Sequence, residues 1–233
     1  MELMFPVRDS VLPRRTPVVM PVILAVNVAI YLYQVVMPAT VESRFIVEHG
    51  LVPARFFAGV AESDPRAVVP AFTSMFLHGG LFHVAGNMWF LWIFGDNVED
   101  RLGRLNFATF YLLTGLAAAA GQLLAEPGST IPMVGASGAI AGVLGAYLRL
   151  YPKARVETAV PIFVFIQIIE LPAFVFLLLW FALQFLGLGS PGVAWWAHIL
   201  GFVAGFALSF LAPGRSAPPP RPPARYARYR RRG

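Results

Sequence analysis

Gly135-Ala136-Ser137-Gly138, continued by the apolar run from Ala139 to about Tyr151, is the stretch on which the rest of the chain turns. A serine between glycines at the mouth of an apolar helix has two uses. Membrane helices approach one another through small residues, and Gly138, Gly142 and Gly145 suit that packing. Taken alone the stretch favours packing over chemistry. The positions of the other polar residues reverse that balance.

Working outward, 58% of the 233 residues are hydrophobic and only 13% are charged. A soluble domain carries about 25% charged residues, so the composition is that of a membrane protein. The absence of cysteine excludes disulfides and thiolate chemistry. The net charge of +6 comes almost wholly from arginine, since Lys153 is the only lysine.

Residues 1–16 are polar, broken by Pro6 and Pro13, and read as an N-terminal segment on the cytoplasmic side. Val18–Met37 is too long for the hydrophobic part of a twin-arginine signal and reads as a retained first helix. Residues 38–72 form a long external loop of mixed charge. Its Phe45, Leu51, Phe56 and Phe57 predict something folded onto the membrane surface. The second helix is expected over Leu81–Arg101, the third over Leu105–Ala125, and the fourth carries the serine. Glu170 and Pro172 interrupt the next region, so residues 158–169 are expected as an interfacial approach and Leu171–Gly187 as the fifth span. After a Gly187–Val193 loop, Ala194–Ala212 is the sixth.

The expected fold is therefore an all-α six-transmembrane-helix bundle over residues 17–212, with a short central serine-bearing fourth helix. Residues 213–233 hold Pro218-Pro219-Pro220 and seven arginines and are expected as a disordered cytoplasmic tail. Such a tail suits anionic lipid better than nucleic acid.

Six spans put both termini on one side, together with Arg8, Arg14, Arg15, Arg101, Arg104, Arg149, Lys153 and Arg155. The other side holds only Arg44, Arg55 and Arg66, so the termini are expected to be cytoplasmic. Residues 1–16 do not read as an organellar transit peptide, and a bacterial cytoplasmic membrane is the expected location. The even-numbered helices then start at the outer face and carry polar residues near those starts: His83 and Asn87, Ser137, and His198. Three separate stretches deliver hydrogen-bonding groups to one level. From Ser137 to Tyr151 a helix runs about 22 Å, which sets the serine roughly 8–10 Å below the surface of a bilayer core about 30 Å thick.

Ionisable residues at such depth are functional hypotheses by default. Gly201 and Gly205 let the sixth helix press against the glycine-rich fourth and bring the His198 imidazole to Ser137. There it could take the hydroxyl proton and return it to a leaving amine. His83 and Asn87, four apart, share a helix face and suit an oxyanion hole, with hydrogen bonding between helices as the other reading. A metal is not expected, because His78 and His83 point about 140° apart on a helix and no carboxylate or cysteine completes a site. An aspartyl protease would need two aspartates at depth, and only Asp96 comes close. No cofactor is implied.

At these residues the chain resembles the rhomboid intramembrane serine proteases, in their basic bacterial six-helix form, over about residues 17–212. Gly135-Ala136-Ser137-Gly138 is similar to the family's GxSG nucleophile motif. Ala197-His198 followed by Gly201 resembles its base. His83 and Asn87 match the oxyanion pair, and His78 matches a further histidine at the helix's outer end. Gly95-x3-Glu99-x3-Gly103, with Arg101, matches a structural motif closing the second helix.

The resemblance implies cleavage of single-span membrane proteins near the outer end of their transmembrane segment. Ser137 would be the nucleophile and His198 the base and then the acid. His83, Asn87 and the Ser137 backbone amide would hold the oxyanion. Substrate would enter sideways near the fifth helix, beneath a Gly187–Val193 cap. The implied partners are transmembrane substrates and the lipid bilayer.

Two features depart from the pattern. Residues 38–72 contain no tryptophan, where some members carry a Trp-Arg pair. Ala141 stands where some members stack a tyrosine on the histidine, which leaves open what orients His198. Glu99 and Glu170 both belong nearer the cytoplasmic side. Loss of the aspartate in a soluble triad lowers turnover by about 10⁴, so a slow protease is expected. The alternatives are a non-proteolytic rhomboid-like protein that binds membrane helices and, less favoured, a small transporter.

Overall fold

The computed structural model describes residues 4–162, 165–187 and 193–212. The basic tail and nearly all of the Gly187–Val193 loop lie outside them, and so do the expectations of a disordered tail and a capping loop.

Each of the six expected helices forms: α1 (Val19–Val35), α5 (Leu81–Leu102), α6 (Arg104–Ala125), α7 (Ser137–Leu150), α8 (Ala173–Leu186) and α9 (Trp195–Leu208). Between α1 and α5 the long loop folds into α2 (Ala39–His49), α3 (Pro53–Ala61) and the single turn α4 (Pro70–Thr73). Among the described residues only α6 is both long and apolar enough to cross a bilayer alone. A second span arises if α5 is counted with the segment 65–76, which is bent 79° from it. The other four are apolar but shorter, so the expectation of six full spans is corrected to one or two that meet that length.

The outward faces of these helices are apolar. Leu112, Leu113, Leu178, Leu179, Val203 and Phe206 are exposed, whereas the inward faces are built of glycine, alanine and aromatic residues. A chain that turns its large aliphatics outward is suited to lipid rather than water.

The all-α expectation is also corrected. β1 (Phe5–Asp9), β2 (Arg155–Ile162) and β3 (Phe165–Pro172) form an antiparallel sheet in the order β1-β2-β3. Its register pairs Phe5 with Ala159 and Glu157 with Glu170. The stretch expected as an interfacial approach is thus a hairpin. Its Val156, Thr158, Val160, Ile166, Ile168 and Ile169 are β-branched and suit a pleated surface better than a helix.

The polar N-terminal segment is held by side chains of α5, α7 and β2. Buried Asp9 accepts from Asn97 Nδ2 at 2.8 Å and from the Tyr147 hydroxyl, and Arg8 pairs with Glu157 at 2.6 Å. Trp89 Nε1 donates to the Pro6 carbonyl at 2.6 Å.

Glu99 has a defined task here. It is 2% exposed and accepts from the backbone N–H groups of Val18, Val19 and Met20 at 2.8, 3.0 and 2.7 Å. A helix leaves its first N–H groups without partners. A carboxylate among them satisfies three donors and complements the positive helix end. Neighbouring Asp100 accepts from Arg14 N and Arg15 N, both at 3.1 Å. The motif at the end of α5 therefore fastens the start of α1, a full helix length from Ser137.

The centre of the bundle is α7 against α9. A β-carbon built on Gly201 would lie 2.1 Å from the Gly138 carbonyl oxygen, one on Gly205 2.0 Å from that of Gly142, and one on Gly145 2.1 Å from that of Phe202. Backbone meets backbone at successive turns, and α7 is buried on nearly all sides. This contact sets the height of α9 relative to α7 and carries His198 to the level of Ser137.

Candidate active site

Ser137 is the first residue of α7, and its hydroxyl Oγ lies 2.8 Å from His198 Nε2, across 61 residues of sequence. The preceding loop is braced from outside the bundle. Gly135 N donates to the Ser74 carbonyl at 2.9 Å, and Leu51 and Met133 exchange backbone hydrogen bonds at 3.0 and 2.8 Å. Leu51 of the long loop and Ser74 just beyond it thus fix the approach to the serine, which sequence reading did not anticipate. As the first residue of the helix, Ser137 also contributes a backbone N–H from the set that helices leave free.

Gly135 has φ +123°, a conformation that side chains rarely adopt. A β-carbon there would stand 2.6 Å from His83 Nε2. The turn into α7 therefore folds directly onto the second helix's polar face. His83 Nδ1 accepts from Gly79 N at 3.4 Å. Asn87 is 8% exposed, and its amide nitrogen has no hydrogen-bond partner among the described residues. An amide donor buried without a partner costs free energy, and this one borders the space in front of Ser137.

That space is a groove of about 660 Å³. It is lined along α5 by residues between Phe82 and Phe90, along α7 by Ser137, Ile140 and Leu144, and on the far side by Trp180 and His198; Phe5 of β1 reaches its end. His83, Asn87, Ser137 and His198 share this one lining. The other named residues do not belong to it. His78 is buried beside it, its ring edge-on to that of His83 at 5.2 Å. Gln34 clamps the His78 backbone with two hydrogen bonds of 3.0 Å. Gly138, Gly201 and Gly205 belong to the helix contact, and Glu99 caps α1.

Two features of the histidine's surroundings were missed from sequence. Trp180 and Trp195 flank the His198 ring at centroid distances of 6.2 and 5.9 Å. Trp195 thus packs on the site, and it also fills the space beside Gly187. The second feature is Gln184 on α8, whose Oε1 lies 2.8 Å from His198 Nδ1. Its signal was available: it is the one amide in a helix otherwise made of hydrocarbon and aromatic side chains.

Residues 65–215, well over half of the chain, match the family described as Rhomboid domain. The chain belongs to the rhomboid family. Among its relatives, Rhomboid protein 1, mitochondrial, of Saccharomyces cerevisiae is 37% identical over 87 residues, which is 36% of this chain and 25% of the yeast protein. Presenilin-associated rhomboid-like protein, mitochondrial, of Mus musculus is 35% identical over 109 residues, 44% of this chain and 29% of the mouse protein. RHOMBOID-like protein 6, mitochondrial, of Arabidopsis thaliana is 32% identical over 141 residues, 60% of this chain and 42% of the plant protein. The chain thus spans less than half the length of these rhomboid relatives. Their names overturn the expected bacterial cytoplasmic membrane, since all three are designated mitochondrial.

Proposed function

We propose that this chain is an intramembrane serine endopeptidase acting on transmembrane segments of single-span proteins. The observation that carries the proposal is the 2.8 Å contact between Ser137 Oγ and His198 Nε2 at the wall of a groove. His198 Nε2 takes the hydroxyl proton as Oγ attacks a substrate carbonyl, and the protonated imidazole then gives that proton to the departing amine. The resulting acyl-enzyme is cleared by a water that His198 deprotonates in turn.

The tetrahedral oxyanion forms beside the Ser137 backbone N–H, with the unpartnered Asn87 amide and His83 as further donors. Along α7 the groove runs from Ser137 to Leu144, roughly 10 Å of helix. That length accommodates about three residues of extended chain at ~3.3 Å each, so the substrate helix must unwind locally to enter. Residues that weaken a helix near the scissile bond favour that unwinding. Substrate enters sideways from lipid, between α5 and α8, whose residues form the groove's opposite walls.

A fluorophosphonate probe on the detergent-purified chain tests the reading. Labelling that disappears in both Ser137→Ala and His198→Ala is the expected result. A wild-type chain that stays unlabelled while folded would overturn it in favour of a non-proteolytic helix-binding role.

A further inference from the structure

We propose that Gln184 is a positioning residue for the Ser137–His198 pair, fixing which imidazole nitrogen carries the proton. The inference rests on the protease reading above but is carried by a separate contact.

An imidazole can serve as base toward Ser137 only if Nε2 presents a bare lone pair, which requires the proton to sit on Nδ1. Isolated neutral histidine exists as either tautomer, and the choice is set by whatever the other nitrogen meets. Here Nδ1 meets Gln184 Oε1 at 2.8 Å. The amide orientation is itself determined, because Gln184 Nε2 donates to the Trp180 carbonyl one turn earlier on α8 at 2.9 Å. Reversing the amide would set NH₂ against Nδ1 and leave the Trp180 carbonyl facing an oxygen. Oε1 can only accept, so Nδ1 must donate, and Nε2 faces the serine hydroxyl as an acceptor.

Gln184 is 5% exposed, and an amide in apolar surroundings needs its hydrogen bonds met. Both of its polar atoms are met, one by the helix and one by the imidazole. The contact also answers what replaces a tyrosine at the Ala141 position. Orientation comes from the side of α8, with Trp180 and Trp195 holding the ring laterally.

A neutral amide differs from the aspartate of a soluble triad. It fixes the tautomer and the ring, yet it offsets none of the imidazolium charge formed during attack. Its removal is expected to lower fluorophosphonate labelling about 10²–10³-fold, less than the ~10⁴ seen when a triad aspartate is changed.

The test uses the full chain in detergent with ¹⁵N-labelled histidine. The wild-type spectrum should show His198, assigned by its loss in His198→Ala, as a single neutral tautomer protonated at Nδ1. In Gln184→Met, which keeps the side chain's length and removes both polar atoms, a mixture of tautomers and the stated loss of labelling are expected. Gln184→Glu should restore most of the labelling, because a protonated carboxyl can accept from Nδ1 and donate to the Trp180 carbonyl. If Gln184→Met unfolds, Gln184→Asn, one methylene short of the imidazole, takes its place with the same expectation. An unchanged tautomer in folded Gln184→Met or Gln184→Asn, or labelling of either within twofold of wild type, overturns the proposal. The spectrum reads the contact even in a chain that labels with nothing, so failure here is distinct from failure of the protease reading.

Discussion

The most demanding prediction concerns Gly201, which touches no substrate. In Gly201→Ala the new methyl carbon would be 2.1 Å from the Gly138 carbonyl oxygen. A carbon and a carbonyl oxygen ordinarily meet no closer than ~3.3 Å, so α7 and α9 must part by about 1.2 Å at this level. The obstructing atom is backbone, and no rotamer can relieve it. Ser137 adjoins Gly138 and His198 lies one turn before Gly201, so most of that separation falls on their 2.8 Å contact. The contact is expected to open to about 4 Å, beyond hydrogen-bonding reach. A misplacement of ~1 Å can lower the rate of chemistry about 10²-fold, and overpacking costs about 1–3 kcal/mol, or ~2–4 °C in melting temperature per kcal/mol for a domain of this size. Labelling rate and thermal unfolding in detergent are the paired readouts. Gly128→Ala is the control, since a β-carbon there has open space. If Gly201→Ala labels and melts like the wild type, the claim that backbone contact sets the geometry of the site is wrong.

Further expectations follow from the same geometry. Gly205→Ala, blocked at 2.0 Å by the Gly142 carbonyl one turn deeper, should lose similar stability while labelling falls less than in Gly201→Ala, as melting and labelling together will show. Asn87→Ala should lower turnover of a transmembrane substrate about 10²–10³-fold, the usual cost of one oxyanion donor; turnover within a factor of three removes Asn87 from that role. Glu99→Ala strips the partner from three N–H groups at the start of α1. At about 1 kcal/mol per cap-like contact, a loss of ~2–3 kcal/mol in thermal unfolding is expected, with labelling retained at low temperature.

The serine, the histidine and the oxyanion candidates could be read from the sequence because a polar residue in an apolar helix stands out against its neighbours. Their common depth followed from counting residues along helices of fixed rise. Gln184 stood out equally in α8 but was passed over, because no rule of spacing connects it to His198. The strands were missed for a different reason. Phe5–Asp9 is too short and polar to announce a strand, and it becomes one only because β2, about 150 residues later, offers it an edge.

Hydropathy and polar exceptions to it are local properties, so the sequence alone determined the six main helices, their order and which of them carry the candidate site residues. Whether two helices come within 3 Å depends on facing surfaces from distant segments. Only the tertiary structure could decide that Gly201 meets the Gly138 carbonyl, that Glu99 caps α1, and that the imidazole of His198 is held from behind by the amide of Gln184.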